Sequence, residues 1–346
     1  MGLIVLTIAA ALLAQFLVGR FTRWANHRIV DVPNARSSHA VPTPRGGGVV
    51  IVALVSLVLL AVSLLDGYPE AVWLVVAGVA VAGVSWYDDV HSIGTLPRFS
   101  VHFAAVAVAL AVFWPPQLAA IPSGGVFVLP FAVAIAAALF WGIALTNVYN
   151  FMDGIDGIAG IQAVAAGIGW MVAGIMVGSS FLQVAGSVII GSTIGFLFHN
   201  WSPAKVFMGD VGSVFLGFLF ATLPLAAGDV ADGRVPLAAV LFVWPFVFDG
   251  TYTIFRRILR KENIFQAHRS HLYQRLVIAG RSHAWVSLLF LAMALFSSSA
   301  GIAWLEFGRD AELLVSSVLV IVPVVLITAT RISESRSETR AVLSEA

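Results

Sequence analysis

Apolar runs of helical length, separated by short polar stretches, fill this sequence from end to end. A helix needs ~20 mostly apolar residues to cross the hydrocarbon of a bilayer. That window gives eleven candidate spans: Leu3–Val18, Gly47–Leu65, Ala71–Trp86, Phe99–Trp114, Phe127–Thr146, Ile158–Gly178, Phe181–Phe198, Val211–Ala227, Pro236–Phe255, Ala284–Trp304 and Leu313–Thr330. The pattern predicts an all-α polytopic membrane protein, a single domain over 1–346 with a polar tail from 331 onward. The first run lacks the basic start of a signal peptide and is followed by Arg20 and Arg23, so it reads as a true span.

Lys and Arg in short loops stay on the cytoplasmic side. With eleven spans and the N-terminus outside, all but Arg234 and Arg309 of the 19 basic residues fall on that side, and the C-terminal tail is inside. The longest stretches between spans, Gly19–Gly46 and Arg256–His283, are too short for a soluble domain. Gly191 and Gly195 make a G-x-x-x-G, which predicts close helix packing.

Composition narrows the function. Apolar residues are 60% of the chain and charged residues 11%, against ~25% charged in soluble proteins, which excludes a water-soluble enzyme. The absence of Cys excludes disulfides, thiolate metal sites and Cys nucleophiles. A net charge of +1 gives no footprint for nucleic acid.

The polar chemistry is gathered into five clusters, all in the loops expected to be cytoplasmic: Asp31 through Ser38-His39 running into Pro42-Thr43-Pro44-Arg45-Gly46-Gly47-Gly48; Asp88-Asp89; Asn147 through Gly157; Phe207 through Ser213; and His268-Arg269-Ser270-His271 with Arg275. Such convergence suggests a composite active site more than a channel lining. Asp88 and Asp89 end a helix, where carboxylates are disfavoured by the dipole, so a merely solvated helix end is a poor use for them. They suit a divalent cation or a base.

Asp156 and Asp210 read either as N-caps of the following helices or as parts of a Mg²⁺–phosphate site, the latter favoured by Gly154, Gly157, Gly209 and Gly212. The run after Asp153 does not fill an EF-hand pattern. His268, His271 and Arg275, at i, i+3 and i+7, would lie within about 60° of one another on a helix. That face suits either a diphosphate or anionic lipid. The three glycines after Arg45 make either a loop-to-helix corner or an anion-receiving backbone. Asp249, inside a span, is either functional or paired with Arg256. No Walker loop, G-x-G-x-x-G or G-x-S-x-G is present.

The ordered set Asp88-Asp89, Asn147-x-x-Asn150-x-x-Asp153-Gly154-x-Asp156-Gly157, Phe207-x-Gly209-Asp210-x-Gly212-Ser213 and a His-rich basic loop resembles the polyprenyl-phosphate N-acetylhexosamine-1-phosphate transferase family, glycosyltransferase family 4. The resemblance runs from Asp31 to about Leu276. It implies a multi-pass enzyme of the bacterial inner membrane, its site facing the cytoplasm, that moves a sugar-1-phosphate from a UDP-N-acetylhexosamine to undecaprenyl phosphate and releases UMP. Mg²⁺, or Mn²⁺ in its place, and a homodimer are further implications. By motif, Asp210 would ligate the metal, and Asp88 and Asp89 would position or deprotonate the lipid phosphate. Asn150, Asp153 and Asp156 would hold the nucleotide and diphosphate, with Phe207 near the uracil, and Arg45 and Asn147 would also bind substrate. His268, His271 and Arg275 would contact the diphosphate and sugar.

The histidines are separated here by Arg269 and Ser270, which is closest to the initiating enzymes of O-antigen synthesis. That points to surface polysaccharide, with GlcNAc or a 6-deoxy relative such as FucNAc or QuiNAc as the sugar. Leu272 or Tyr273 would supply an apolar wall. The phospho-MurNAc-pentapeptide translocase of peptidoglycan synthesis is the nearer alternative. An ion-coupled transporter is the rival from another class, but its carboxylates belong near the bilayer midplane. A CDP-alcohol phosphotransferase is excluded because its D-G-x-x-A-R is missing after Asp156-Gly157.

Overall fold

A computed structural model describes residues 1–26, 28–33, 41–91, 93–115, 118–121, 124–228, 231–263, 266 and 268–345. Asn34 to His39 of the first motif, and Phe265 in the last loop, lie outside the described residues. The helices are α1 (Gly2–Ala25), α2 (Val49–Leu65), α3 (Ala71–His91), α4 (Thr95–Val112), α5 (Phe131–Phe151), α6 (Ile158–Met176), α7 (Ser180–Asn200), α8 (Asp210–Ala227), α9 (Val235–Phe242), α10 (Trp244–Leu259), α11 (Leu272–Ile278), α12 (His283–Phe307) and α13 (Glu312–Glu345). Two small antiparallel hairpins join them, β1 (Val30–Asp31) with β2 (Thr43–Pro44) and β3 (Leu118–Ile121) with β4 (Gly125–Val128). Their strands are too short to leave a period in the sequence.

Among the described residues, eight helical stretches are long and apolar enough to cross a membrane, nine if α9 and α10 form one span. One of the eight, His283–Arg340, takes in α12 and most of α13. These two run antiparallel, because Arg281, just before α12, donates to the Ser333 hydroxyl at 3.0 Å in the second half of α13. The tail expected from 331 onward simply continues α13 as a helix.

The span expected over Pro236–Phe255 is broken. α9 and α10 meet at Val243 with a bend of 77°. Pro245 accounts for it: the ring has no N–H to donate and clashes with the preceding turn. Asn147 and Asn150 also differ from expectation, since they occupy the last two turns of α5 rather than a loop.

Centrally placed α8 is buried at every position from Val211 to Leu225, packed between α3 and α5. α7 is clasped by α1 and α6. The G-x-x-x-G acts as expected: a Cβ on Gly191 would come within 2.3 Å of the Thr7 carbonyl oxygen, and one on Gly195 within 2.3 Å of that of Ala11. Only glycine lets α1 lie this close. The packing sets the ends of α3, α5, α8 and α12 side by side at one end of the bundle. Arg234 and the β3–β4 hairpin lie at the other, where Arg234 donates to the Glu306 carbonyl at 3.3 Å.

Candidate active site

At the C-terminal end of α3 the two carboxylates are each met by a guanidinium. Arg98, in the first turn of α4, donates through one nitrogen to Asp88 Oδ2 at 2.5 Å and to Asp210 Oδ2 at 3.1 Å. Arg45, just after β2, donates to Asp89 Oδ1 at 2.7 Å and to the Asp89 carbonyl at 2.8 Å. The cations offset both the helix dipole and the repulsion between neighbouring carboxylates. Arg98 was not singled out by sequence. Its signal was its place as the one charge in the first turn of an otherwise apolar span, a short turn beyond the Asp pair.

The glycines serve close approach rather than anion binding. Gly47 and Gly48 donate their N–H groups to the carbonyls of Phe207 and Met208, both at 2.9 Å, and Phe207 donates back to Pro44 at 2.8 Å. A Cβ on Gly48 would fall 2.5 Å from Gly212 Cα. The anion-receiving reading is thereby corrected for these two glycines, because their donors are already bonded. Gly209 takes φ +75°, which turns the chain so that Asp210 comes up beside Asp89. Neither Asp156 nor Asp210 is an N-cap; Gly157 and Gly209 hold those positions.

Asn150 points its amide nitrogen at Asp210 Oδ2 across 3.4 Å, oriented by Ser213, which donates to its carbonyl oxygen at 2.7 Å. Asn147 instead donates along its own helix to Ile143. Asp153 is half-buried, and its carboxyl is pushed up to about 8, first by burial and then by the charges of Asp210, Asp89 and Asp156. Asp156 is buried and bonded to protein: His283 lies 3.2 Å from its Oδ2, and Ala204 donates to that oxygen at 3.2 Å. Burial alone would raise its pKa, but the hydrogen bond and charge of His283, together with hydrogen bonds from Ala204 and Ser202, hold the carboxyl below its usual range. The carboxylate fastens the 201–206 loop to the start of α12.

The last loop is built differently from the expected helix face. Asp249, fully buried, accepts from the backbone N–H of Leu272 at 2.8 Å and of Tyr273 at 3.1 Å, with His271 Nδ1 at 3.2 Å. By taking the first donors of α11 it fixes the helix start after His271, so His268 and His271 are not on a helix with Arg275. Asp249 therefore pairs with α11, not with Arg256. His268 sits beside His271 with ring centroids 5.1 Å apart. Burial, then His271 and Arg257, push the His268 imidazole down to about 4, so it is neutral at pH 7. Leu272 and Tyr273 form no sugar wall: both are buried, and the Tyr273 hydroxyl donates to the Phe151 carbonyl at 2.9 Å.

Arg275, expected on the diphosphate, forms a two-pronged pair with Glu334 of α13 at 2.8 and 2.7 Å. Glu334→Gln is expected to cost ~0.5–1 kcal/mol, as for a partly exposed pair. The Arg275→Gln/Glu334→Gln double variant should then unfold at about the temperature of either single variant. Additive losses in thermal unfolding would show that the two side chains act independently.

Among the described residues no group of three or more acidic or His side chains is arranged to hold an ion. A Mg²⁺ site needs only one or two carboxylates when phosphate supplies other ligands. Two buried atoms of the cluster fit that chemistry, since Asp89 Oδ2 and Arg98 Nε have no hydrogen-bond partner. One asks for a cation and the other for an anion.

Comparison with known proteins identifies the family. The family described as glycosyl transferase family 4 matches residues 71–228, which contain Asp88, Asp89, Arg98, Asn150, Asp153, Asp156 and Asp210. The chain is 30% identical over 276 residues, 78% of its length and 76% of the relative's, to a probable undecaprenyl-phosphate N-acetylglucosaminyl 1-phosphate transferase of Bacillus subtilis. It is 31% identical over 322 residues, 82% of its length and 78% of the relative's, to the decaprenyl-phosphate N-acetylglucosaminephosphotransferase of Mycobacterium leprae. The protein of the same description from Mycobacterium tuberculosis is 30% identical over 332 residues, covering 85% of this chain and 81% of its own.

Proposed function

The chain belongs to glycosyl transferase family 4, and from that premise we propose that it transfers N-acetylhexosamine-1-phosphate from a UDP-sugar to undecaprenyl phosphate, releasing UMP. The observation that carries this reading is the guanidinium-bridged carboxylate cluster of Arg45, Asp89, Arg98, Asp88 and Asp210. In the reaction a lipid phosphate oxygen attacks the sugar-bearing phosphorus, a new P–O–P linkage forms, and the bond to UMP breaks. Phosphoryl transfer asks the protein chiefly for positioning and charge neutralisation.

Arg98 and Arg45 supply the positive charge, with donors to spare beyond those spent on Asp88, Asp89 and Asp210. Asp210, with Asp89 beside it, would hold Mg²⁺, which when bound neutralises diphosphate charge and eases departure of UMP. Asn150 orients Asp210. Asp153, whose carboxyl is raised by burial and by the carboxylates of Asp210, Asp89 and Asp156, favours a protonated form in the free site. Asp88 and Asp89 each commit an oxygen to a guanidinium, which weakens them as nucleophiles and supports a positioning role in a single displacement. His268 and His271 lie in the loop locked by Asp249, where the neutral His268 imidazole can hydrogen-bond the sugar phosphate.

The site faces the cytoplasm, with the N-terminus outside, on the strength of the basic residues at its end of the bundle. Cysteines introduced at Asp232 and Ser335 of this Cys-free chain should label from opposite sides; labelling of both by an impermeant reagent in intact cells would reject this orientation.

The donor is UDP-GlcNAc or a 6-deoxy relative, used to start a surface polysaccharide. The names of the relatives support N-acetylglucosamine, and the spaced histidines support the pathway. Competition among UDP-GlcNAc, UDP-FucNAc, UDP-QuiNAc and UDP-MurNAc-pentapeptide, read as relative kcat/KM, is expected to leave the pentapeptide donor last. Were it first, the protein would serve cell-wall synthesis.

A further inference from the structure

Outside the active site, a cleft of about 570 Å³ lies between α1 and α7. Its origin is the end of the glycine contact described above. One turn beyond Gly195 the next position on that face of α7 is His199, whose ring reaches across to α1 instead of letting the backbones touch. His199 Nε2 lies 2.9 Å from the Gln15 carbonyl, and its Cε1 would be 3.2 Å from a Cβ on Gly19.

The lining changes character along α1. Leu12 and Phe16 line one end and are 63% and 59% exposed. Arg23 lines the other, with Lys205 contributed by the loop after α7. At 1.5 Å per residue, Leu12 and Arg23 are roughly 16 Å apart along the helix. Arg23 and Lys205 are both exposed, and no carboxylate among the described residues pairs with either. A dissolved anion would meet the two cations but leave the apolar half uncovered. A hydrocarbon chain alone would leave the cations without a counter-ion. A molecule with a phosphate at one end and an acyl chain at the other satisfies both.

We infer that this cleft is a binding site for an anionic phospholipid of the surrounding bilayer, its phosphate between Arg23 and Lys205 and an acyl chain along Leu12 and Phe16. The site is separate from the Asp210 cluster, but Lys205 stands in the same 201–209 segment that ends at Asp210, and its backbone N–H is tied to the His199 carbonyl at 2.8 Å. The bound lipid therefore braces the segment that carries Asp210.

Full-length protein extracted from phosphatidylcholine vesicles doped with phosphatidylglycerol tests this, with retained lipid counted by native mass spectrometry. Wild type should keep one phosphatidylglycerol per chain. Arg23→Gln/Lys205→Gln should lose it on the order of tenfold more readily. Arg28→Gln/Arg260→Gln removes the same charge outside the cleft and should behave as wild type. Equal retention by the cleft variant overturns the site, and equal loss by the control reduces it to general surface charge and overturns it too. Displacement by inorganic phosphate would leave only an anion site. Displacement by undecaprenyl phosphate would give the cleft to the acceptor, and either result overturns the phospholipid assignment.

Discussion

Asp210→Asn is expected to lower kcat by ~10³-fold or more, the scale seen when a charge-stabilising group is removed from an active site, while leaving the protein folded. Asparagine keeps the volume of the side chain and an oxygen that can still accept from Arg98, now 3.1 Å from Oδ2. The helix start is also preserved, because Gly209 rather than Asp210 occupies the cap position. What is lost is the negative charge that faces Arg98 and that would hold a metal. Turnover and thermal unfolding measured together check this, and near-normal turnover would reduce Asp210 to a structural residue at the start of α8.

Arg98 should matter nearly as much. Its one nitrogen joins Asp88 of α3 to Asp210 of α8, so it ties two motifs that are far apart in the chain. Arg98→Gln leaves both carboxylates without their shared cation and removes the unpartnered Nε–H from the site. A fall in kcat of ~10²–10³-fold is expected from losing such a donor. Arg98→Lys should recover only part of it, since an ammonium restores the charge but not the further guanidinium donors, the unpartnered Nε–H among them. Steady-state kinetics of both variants separates the effects: equal losses would make the charge irrelevant, and wild-type kcat in Arg98→Gln would remove the residue from the site.

The two residues differ in how far sequence could find them. Asp210 stands in a local glycine-flanked motif, and so do Asn150 and Asp153; such motifs are legible because the constraint lies within a few neighbouring positions. The membrane helices were legible for the same reason, as each apolar run is a local property. Arg98 was not, because its partners are set by how α3, α4 and α8 pack. Arg275 shows the converse. Its motif suggested a phosphate, but the chain returns 59 residues later with Glu334 and occupies it. His268 and His271 carry a helical spacing that α11 does not use, since buried Asp249 fixes where that helix begins. The α9–α10 break was partly visible in Pro245, though a window count of apolar residues is blind to it.

The most direct test of the central proposal is the identity of the nucleotide released. Purified protein is mixed with undecaprenyl phosphate, a UDP-N-acetylhexosamine and Mg²⁺, and the products are separated. The proposal predicts UMP in equal amount with a lipid-linked diphosphate sugar, because the bond broken lies between the two phosphorus atoms. Release of UDP would mean that the sugar–oxygen bond had broken instead, and would contradict it.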